Sequence, residues 1–197
     1  MTTTPPPLSD ALRGWARAVG YLCTADDTTA TTLLVPEAES PTRYHIRWRA
    51  NARVEVVEAS ADEMRPLLFA ANTAILETYL FGLFGDDLRE NIGLPPLELP
   101  WAEDDLAPGY TVGKQLSRGY RVLSHHKVGP IAAAPDPTLS LLTLVPLSHF
   151  LGLSIADLKQ SFLNEAGKPL MFGPRYTSIC TTGDFAATPP GVRSNIE

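Results

Sequence analysis

The sequence is poor in cysteine, with two residues of this type in a chain of 197. Cys23 and Cys180 lie far apart, and neither belongs to a CxxC pair, the spacing used by many zinc sites and redox dithiols. This scarcity excludes a secreted scaffold held by several disulfides and a four-ligand zinc site. We therefore expect two small, buried thiols in a reducing compartment.

Long hydrophobic runs are also missing, because no apolar segment approaches the ~20 residues that a membrane-spanning helix needs. The stretch 139–153 is apolar, but proline, serine, histidine and glycine interrupt it. Residues 1–7 have neither the positively charged start nor the apolar centre of a secretion signal. These absences predict a cytoplasmic protein.

Positive charge is in the minority: the formal net charge is −6 and the isoelectric point is near 5.2. An acidic surface repels phosphate backbones and anionic lipids, so neither nucleic acid nor membrane is expected as a partner. A basic protein partner is favoured instead. With 44% hydrophobic and 19% charged residues, the chain has the composition of an ordinary globular domain rather than of a disordered one.

Catalytic motifs are absent, including the GxSxG, HExxH, SxxK and P-loop patterns. His125 and His126 are expected in a hairpin turn with diverging side chains, and no carboxylate or cysteine lies near them at ligand spacing. His149 is expected as a hydrogen-bonded histidine of the core or of a groove. The acidic triplet 103–105 lacks the alternating oxygen ligands of a calcium loop. We therefore predict a protein that is not an enzyme and that uses no cofactor and no metal ion.

Two helices are predicted in the first half of the chain. Residues 1–8 form a flexible arm, and a helix with one apolar stripe then begins at a cap at Ser9 or Asp10 and ends at Gly20. A second helix, the core helix 72–85, begins at an asparagine cap and carries a wide apolar stripe.

Between these helices, alternating residues predict an antiparallel sheet with strands at 31–35, 43–49, 53–58 and 64–69. On the strand 43–49 (RYHIRWR), the aromatic and aliphatic residues share one face and the arginines share the other. Pro66 cannot donate to a strand ladder, so it assigns the strand 64–69 to a sheet edge.

The region after residue 108 is predicted to be smaller, with short strands at 110–112, 120–123 and 131–134. Asp136 begins a helix that runs to about Leu151 and bends at Pro146. Ser154 then caps a last helix. The residues of this helix that are expected to face inward are Ile155, Leu158, Phe162 and Leu163.

The predicted fold class is α+β, with an antiparallel sheet packed against an N-terminal helix, a core helix and a C-terminal helical pair. Residues 9–172 form a single domain in which a proline-rich link joins the sub-parts 9–93 and 108–172. The tail 173–197 lacks periodicity and is expected to be mobile.

Two surfaces suit contact with a partner protein. The strand 43–49 carries arginines and a tryptophan, which are enriched at binding hot spots, although a strand that packs its aromatic face on a helix has the same pattern. The second is the acidic loop after the proline-rich link. The candidate contact residues are Arg47, Trp48, Arg49, Trp101, Glu103, Asp104, Asp105 and Tyr110.

The segment 147–162 also allows a helix-turn-helix interpretation, with Gly152 in the turn. Its second helix offers one lysine among acidic and amide residues, too little positive charge for the several phosphate contacts that DNA binding requires. A packed helical corner is therefore favoured, and a DNA-binding regulator is the alternative.

Five segments taken in order resemble the immunity protein 61 family. They are LRGWARAVGY, RYHIRWRA, LLFAANTAILETYLFGLFGDDLR, LPPLELPW and LSHFLGLSIADLKQSFLNEAGKPLM. The chain is also similar to antitoxins against TNT-type toxins, which are NAD-glycohydrolases of actinobacteria. The resemblance covers about residues 8–172 and rests on aromatic, aliphatic and glycine positions rather than on a catalytic signature.

The resemblance implies a cytoplasmic immunity protein that binds its cognate secreted toxin before export and occludes the active site of that toxin. It assigns no role to any particular residue. Two further alternatives are a secretion chaperone, which would bind a targeting segment, and an enzyme with a pocket near His149.

Overall fold

The computed structural model describes residues 4–38, 42–61, 63–114, 119–136 and 139–177. Within these ranges four α-helices pack on one face of an eight-stranded antiparallel sheet, and a two-stranded hairpin follows the last helix. The α+β fold class predicted from the sequence is therefore confirmed. Cys180 and most of the predicted tail lie outside the described residues.

The helices and strands have the following bounds. The helices are α1 (Asp10–Ala18), α2 (Thr73–Asn91), α3 (Ser140–Phe150) and α4 (Ile155–Leu163). The strands of the large sheet are β1 (Tyr21–Asp26), β2 (Thr31–Pro36), β3 (Arg43–Trp48), β4 (Val54–Ala59), β5 (Met64–Ala70), β6 (Tyr110–Lys114), β7 (Tyr120–His125) and β8 (Gly129–Pro135). The hairpin consists of β9 (Met171–Phe172) and β10 (Arg175–Tyr176), and short 3₁₀ helices lie at Ala50–Ala52 and Glu103–Asp105.

The strand order is β1-β2-β3-β4-β5-β8-β7-β6, with antiparallel neighbours throughout. Strands β1 to β5 form one meander and β6 to β8 form another. The two meanders join where Phe69 pairs with Ala133 and Ala70 pairs with Ala132. The strands of the two predicted sub-parts therefore build one continuous sheet.

Strand β5 lies inside the sheet, so its assignment to an edge was wrong for the strand as a whole. Strand β8 pairs with β5 at Phe69 and Ala70, near the end of the strand. Pro66 belongs to the earlier part, where β5 pairs with β4 and the register shifts opposite Val57. The missing N–H is tolerated because that part of the strand is locally an edge.

The core lies between the sheet and the helices. Alternate residues of the strands point toward the helices, among them the fully buried Leu34, Ile46 and Val56. They join residues of all four helices in one apolar cluster. The helical residues in this cluster include Leu12, Trp15, Leu76, Leu80, Phe84, Leu144, Leu147, Leu158 and Phe162.

Helix α1 begins at its predicted cap, where the Ser9 hydroxyl accepts a hydrogen bond from Leu12 N at 3.3 Å. Gly20 follows the helix with a φ of 82°, in the left-handed region that glycine favours. The Trp15 indole donates to the Phe81 main-chain oxygen at 3.1 Å. This bond fixes α1 against α2.

Residues 4–8, part of the predicted arm, lie against the sheet. Pro6 is buried, and its main-chain oxygen accepts a hydrogen bond from the Thr32 hydroxyl of β2. The Thr4 main-chain oxygen accepts a hydrogen bond from the Trp48 indole of β3 at 3.0 Å. These two bonds hold the described part of this segment to neighbouring strands.

Helix α2 begins at the predicted Asn72 cap but does not end at Gly85, because it continues to Asn91. A Cβ atom on Gly85 would lie 2.4 Å from the ring of Phe162, and one on Gly82 would lie 2.3 Å from the ring of Phe150. The two glycines allow close approach of α4 and α3 to α2 rather than ending the helix.

Arg89, near the end of α2, is fully buried although it carries a charge. Its guanidinium donates hydrogen bonds to four main-chain oxygens, at distances between 2.7 and 3.0 Å. The accepting residues are Pro95, Phe162, Asn164 and Glu165. The side chain thus binds the proline-rich link and the end of α4 to α2.

Helix α3 begins at Ser140, later than the predicted start at Asp136. The Asp136 carboxylate accepts a hydrogen bond from Leu139 N at 3.0 Å, before the helix starts. Helix α4 begins at its predicted Ser154 cap, and Leu158 and Phe162 are buried as expected. Leu163 is 51% exposed, so its assignment to the inward face was wrong.

Among the described residues, no single helix is both long and apolar enough to cross a membrane. Helices α3 and α4 taken together meet that criterion by length and composition, but they are bent by 118° at the break between them.

The Asp86 side chain lines a small groove with apolar neighbours that include Leu83, Leu142 and Phe150. Asp86 is exposed overall, but the apolar groove wall removes water from one side of its carboxyl. This desolvation raises the pKa of Asp86 from 3.8 to about 6, and the nearby Asp87 adds to the shift while Arg89 opposes it. The pKa of Asp86 in the folded protein therefore lies above its pKa in the unfolded chain. The protonated carboxyl favours the folded state, so its contribution to stability is complete below about pH 4 and is lost as the pH rises through about 6.

Replacing Asp86 with asparagine is expected to raise the melting temperature at pH 7.5 by a small amount, because solvent screens an exposed carboxylate. The melting temperature should change little at pH 4, since asparagine has no proton to lose. The measurement is the difference in melting temperature from the wild type at each pH, followed by circular dichroism. Asp104→Asn, at an exposed position, is the control and should show the same small difference at both pH values. An equal effect of Asp86→Asn at pH 4 and pH 7.5 would contradict the assigned pKa.

Candidate functional site

The sheet face that points away from the helices is called the open face here. Strand register places on it Arg43, His45 and Arg47 of β3, Glu55 and Val57 of β4, Phe69 of β5, Tyr120 and Val122 of β7 and Ala133 of β8. In the described ranges all four helices contribute to the core on the other face. The open face is therefore the side of the sheet that these helices leave uncovered.

Glu55 is the central polar residue of the open face and is 1% exposed. One of its oxygens pairs with Arg47 Nη2 at 2.8 Å, and the other accepts a hydrogen bond from Arg49 Nε. Their side chains remain 36% and 48% exposed. The hydrogen bond to Glu55 raises the pKa of Arg49. A buried carboxylate thus holds two partly exposed guanidinium groups in fixed positions.

The positive charge continues along β3. Arg43 is exposed, and His45 lies between Arg43 and Arg47 on the same face. Burial and the two flanking arginines lower the pKa of His45, against the opposing effect of Asp26. His45 is therefore neutral at pH 7, and the charge of this strip comes from the arginines.

A hollow of about 230 Å³ lies at the junction of β5 and β8, beside Arg53. Phe69, Val122 and Ala133 line it, and the side chain of Arg53 stands at its margin. The rings of Phe69 and Tyr120 meet edge to face with their centres 5.5 Å apart. Apolar walls next to the guanidinium group of Arg53 form a surface that suits a side chain of a binding partner.

Trp48 does not share the open face with Arg47 and Arg49, since strand alternation turns it toward the helices. It is half-buried against the core and donates its indole hydrogen bond to Thr4. The strand RYHIRWR therefore fits both interpretations of its pattern. Its aromatic side packs toward the helices, and its arginine side is open to a partner.

The acidic loop lies elsewhere, beside α3 on the helical side of the sheet. Trp101 is 50% exposed, and Glu103 pairs with Arg121 at 3.0 Å while remaining largely exposed. Asp104 is exposed. The Asp105 carboxylate accepts a hydrogen bond from Ala102 N at 3.1 Å, so this residue closes the 3₁₀ helix.

His149 anchors this acidic loop to α3. Its Nε2 donates to the Asp105 main-chain oxygen at 2.7 Å, and its ring stacks on Tyr176 with centres 3.6 Å apart. Burial lowers the pKa of His149. His149 lines a cleft of about 380 Å³ between this loop, α3 and β10. The expectation of a hydrogen-bonded histidine in the core or in a groove is therefore confirmed. Both the hydrogen bond and the stacking serve the architecture of the loop.

Tyr110 is 9% exposed and belongs to the core cluster, so it offers little surface to a partner. Its ring packs against His125 with centres 4.9 Å apart. The rings of His125 and His126 lie 4.6 Å apart, so the expected divergence of the tandem histidines was wrong. The turn brings His126 back toward the Gly109 main-chain oxygen at 3.1 Å. In the part of the chain that the structure describes, no group of three histidine, cysteine, aspartate or glutamate residues is placed to hold a metal ion.

The structure separates the two predicted contact surfaces. Arg47 and Arg49 lie on the open face, and the 101–105 loop lies on the helical side. Sequence analysis missed Arg53, Phe69 and Tyr120, which extend the open face beside the two arginines. Alternation along RVEVVE already carried a signal for Arg53, because it places this residue and Glu55 on one side of β4.

The helix-turn-helix alternative is not supported by the surface of α4. Lys159, its one lysine, lies 5.0 Å from the centre of the Trp15 ring in a cation–π contact with α1. Asp157 accepts a hydrogen bond from the Ser154 hydroxyl at 2.7 Å, at the start of the same helix. The corner formed by α3 and α4 is therefore part of the packed core.

Comparison with known proteins identifies one family and two kinds of relative. The family model of immunity protein 61 matches residues 15–170. Two curated proteins match over 105 residues with 35% identity: "Immunity factor for TNT" from Mycobacterium tuberculosis (strain ATCC 25618 / H37Rv) and "Immunity factor for TNT homolog" from Mycobacterium bovis (strain BCG / Pasteur 1173P2). The matched stretch covers 51% of this chain and 56% of each relative, so the chain spans about half the length of the curated relatives it matches.

The solved structure of Rv3902c from M. tuberculosis is similar over most of both chains. Its TM-score is 0.75 at 27% sequence identity, and the superposition covers 86% of this chain and 97% of the other. The likeness therefore extends over nearly all of that chain.

Proposed function

Because the chain belongs to the immunity protein 61 family, we propose that it is an immunity protein that binds a TNT-type toxin and blocks its active site. The observation that carries this proposal is the family match over residues 15–170, together with 35% identity to proteins named as immunity factors for TNT.

We propose that inhibition is stoichiometric and that the chain catalyses no reaction of its own. Side chains that a reaction would recruit already have structural partners: His149 is bound to Asp105, and Ser148 both accepts from Ala107 N and donates to Val145. The arginines of the open face are instead fixed and accessible. Such an arrangement suits binding of another protein's surface.

In this proposal the protein acts in the cytoplasm of the cell that makes the toxin, before the toxin is exported. The reaction to be blocked is hydrolysis of NAD by the toxin. A complex of this kind buries about 1,200–2,000 Å² of surface in total. The candidate contacts are drawn from Arg47, Trp48, Arg49 and the loop 101–105.

The test is a titration of the isolated catalytic domain of the cognate toxin with the purified chain, with the remaining NAD measured after a fixed time. Activity is expected to fall in a straight line and to vanish at one chain per toxin domain. An NAD-glycohydrolase from an unrelated family is the control and should keep its activity.

Inhibition that needs a large molar excess, or none at all, would reject the immunity role. A secretion chaperone would bind toxin that carries its targeting segment but leave the isolated catalytic domain active. A DNA-binding regulator would retard DNA in a gel at physiological salt without affecting the toxin.

A further inference from the structure

We propose that the open face binds an extended acidic segment of the toxin, with an apolar side chain of that segment seated in the hollow above the junction of β5 and β8. This inference rests on the proposed function and adds the face used and the chemistry of the segment bound.

Charge on the open face opposes the charge of the whole protein. The chain has a formal net charge of −6. On and beside β3, however, the open face gathers Arg43, Arg47, Arg49 and Arg53, against Glu55 and Asp26. Among the described residues Arg43 and Arg53 have no ion-pair partner, and both are exposed. A basic strip on an acidic protein attracts acidic surface to this place and repels it elsewhere.

Two arginines of the strip, Arg47 and Arg49, are positioned before a partner arrives. Glu55 is buried and uses both oxygens to hold Arg47 and Arg49. The Nε atom of Arg47 is buried and has no hydrogen-bond partner among the described residues. A donor that has lost water without gaining an acceptor favours binding of a carboxylate close to it. Fixed side chains also lose less conformational entropy when the complex forms.

The hollow supplies the apolar half of the recognition. Its walls of Phe69, Val122 and Ala133 adjoin the Arg53 side chain, and Tyr120 lies at the edge of Phe69. An apolar residue seated here would exclude water from the neighbouring ion pairs, which strengthens them.

The spacing of the arginines selects a protein segment over a small anion. Arg43 and Arg47 are four residues apart on one strand, a separation of about 13 Å at 3.3 Å per residue. A phosphate or a single carboxylate cannot reach both, whereas an extended chain with carboxylates along its length does. The toxin is the partner that the proposed function supplies, so the acidic segment is assigned to it.

The test uses two variants of the full chain that change the open face without touching Glu55 or its two arginines. Arg43→Glu combined with Arg53→Glu reverses the exposed charges, and Ala133→Trp fills the hollow. The controls lie at exposed positions of α1. Arg17→Glu makes one such charge reversal, and Ala11→Trp makes the same enlargement as Ala133→Trp. Affinity for the isolated toxin domain and its salt dependence are measured by biolayer interferometry, and circular dichroism confirms that each variant is folded.

The charge-reversed variant is expected to associate on the order of 10- to 100-fold more slowly at low salt, and its rate should depend less on salt than that of the wild type. Ala133→Trp should dissociate at least about tenfold faster, because a filled hollow excludes the apolar side chain. Both controls should bind like the wild type.

The outcomes separate this inference from the function on which it rests. If the wild type neither binds nor inhibits the toxin domain, the proposed function fails. If the wild type binds and both open-face variants match it, the function stands and this docking face is rejected. If light scattering shows a dimer that the variants abolish while toxin binding persists, the occupant is a second copy of the chain, which also overturns the inference.

Discussion

Replacing Arg89 with methionine is expected to lower the free energy of unfolding by about 4 kcal/mol, a large part of the 5–15 kcal/mol typical of a folded domain. Methionine fills much of the same volume, so the loss comes mainly from polar groups. Four main-chain oxygens would lose their donor: the bond to Phe162 is buried, and the other three are partly buried, so water can replace only part of what is lost. Each unsatisfied acceptor costs about 1–3 kcal/mol, reduced by whatever relaxation the chain permits.

The position of Arg89 explains why lysine is not an adequate replacement. Phe162 and Asn164 supply oxygens at the end of α4, where the helix dipole places negative charge, and Pro95 supplies one from the proline-rich link. A planar guanidinium reaches these separated acceptors at once, whereas the compact ammonium of lysine cannot. Burial lowers the pKa of Arg89, with Asp86 and Glu165 opposing that shift.

Urea unfolding followed by fluorescence measures the loss as a lower midpoint with an unchanged slope. Arg17→Met, at an exposed position near the end of α1, is the control and should stay within about 0.5 kcal/mol of the wild type. Arg89→Lys should fall between the wild type and Arg89→Met. An Arg89→Met midpoint equal to that of the wild type would show that the four hydrogen bonds contribute nothing to stability.

Replacing Gly85 with alanine is expected to destabilise the protein by about 2 kcal/mol, although alanine is the better helix former by about 1 kcal/mol. The added methyl group would lie 2.4 Å from the Phe162 ring, so α2 and α4 would have to separate or the ring would have to leave its rotamer. Overpacking therefore outweighs helix propensity at this position.

Gly14→Ala is the matched control, because it makes the same change inside α1, where a Cβ atom would meet nothing within 4 Å. It should stabilise the protein by about 0.5–1 kcal/mol. Thermal melts of the two variants should thus shift in opposite directions. A second substitution, Phe162→Leu, should reduce the additional cost of Gly85→Ala, and strict additivity in that double-mutant cycle would contradict the steric explanation.

The roles of Gly85 and Arg89 could not be predicted from the sequence, whereas several helix boundaries could. Periodicity and caps located α1, the start of α2 and the start of α4, because those signals are local. A glycine that ends a helix and a glycine that admits a neighbouring ring look the same in one sequence, so the end of α2 was misplaced at Gly85. Nothing near Arg89 in the sequence indicates its role, because three of its four acceptors are more than 70 residues away, in α4 and beyond it.

The sheet shows the same division between local and distant information. Alternation predicted β2, β3 and β4, and it placed the side chains of Arg47 and Trp48 on opposite faces of the sheet. Strand β1 was missed because its residues are half-buried or exposed and follow no apolar alternation. The joining of β5 to β8 depends on residues more than 60 positions apart, as in the pair of Phe69 with Ala133. The hollow of the open face could not be predicted without that junction.

That junction also sets how the surface above it adapts. Within the described residues, the two meanders share the pairs of Phe69 with Ala133 and Ala70 with Ala132, while Arg47 and Arg49 are fixed to β4 through Glu55. A small change of twist at this two-pair junction would widen or narrow the hollow between the meanders, while Arg47 and Arg49 would stay fixed to β4. Substitutions at the junction would therefore change which side chain the hollow accepts, while the positive charge that attracts an acidic partner would stay the same.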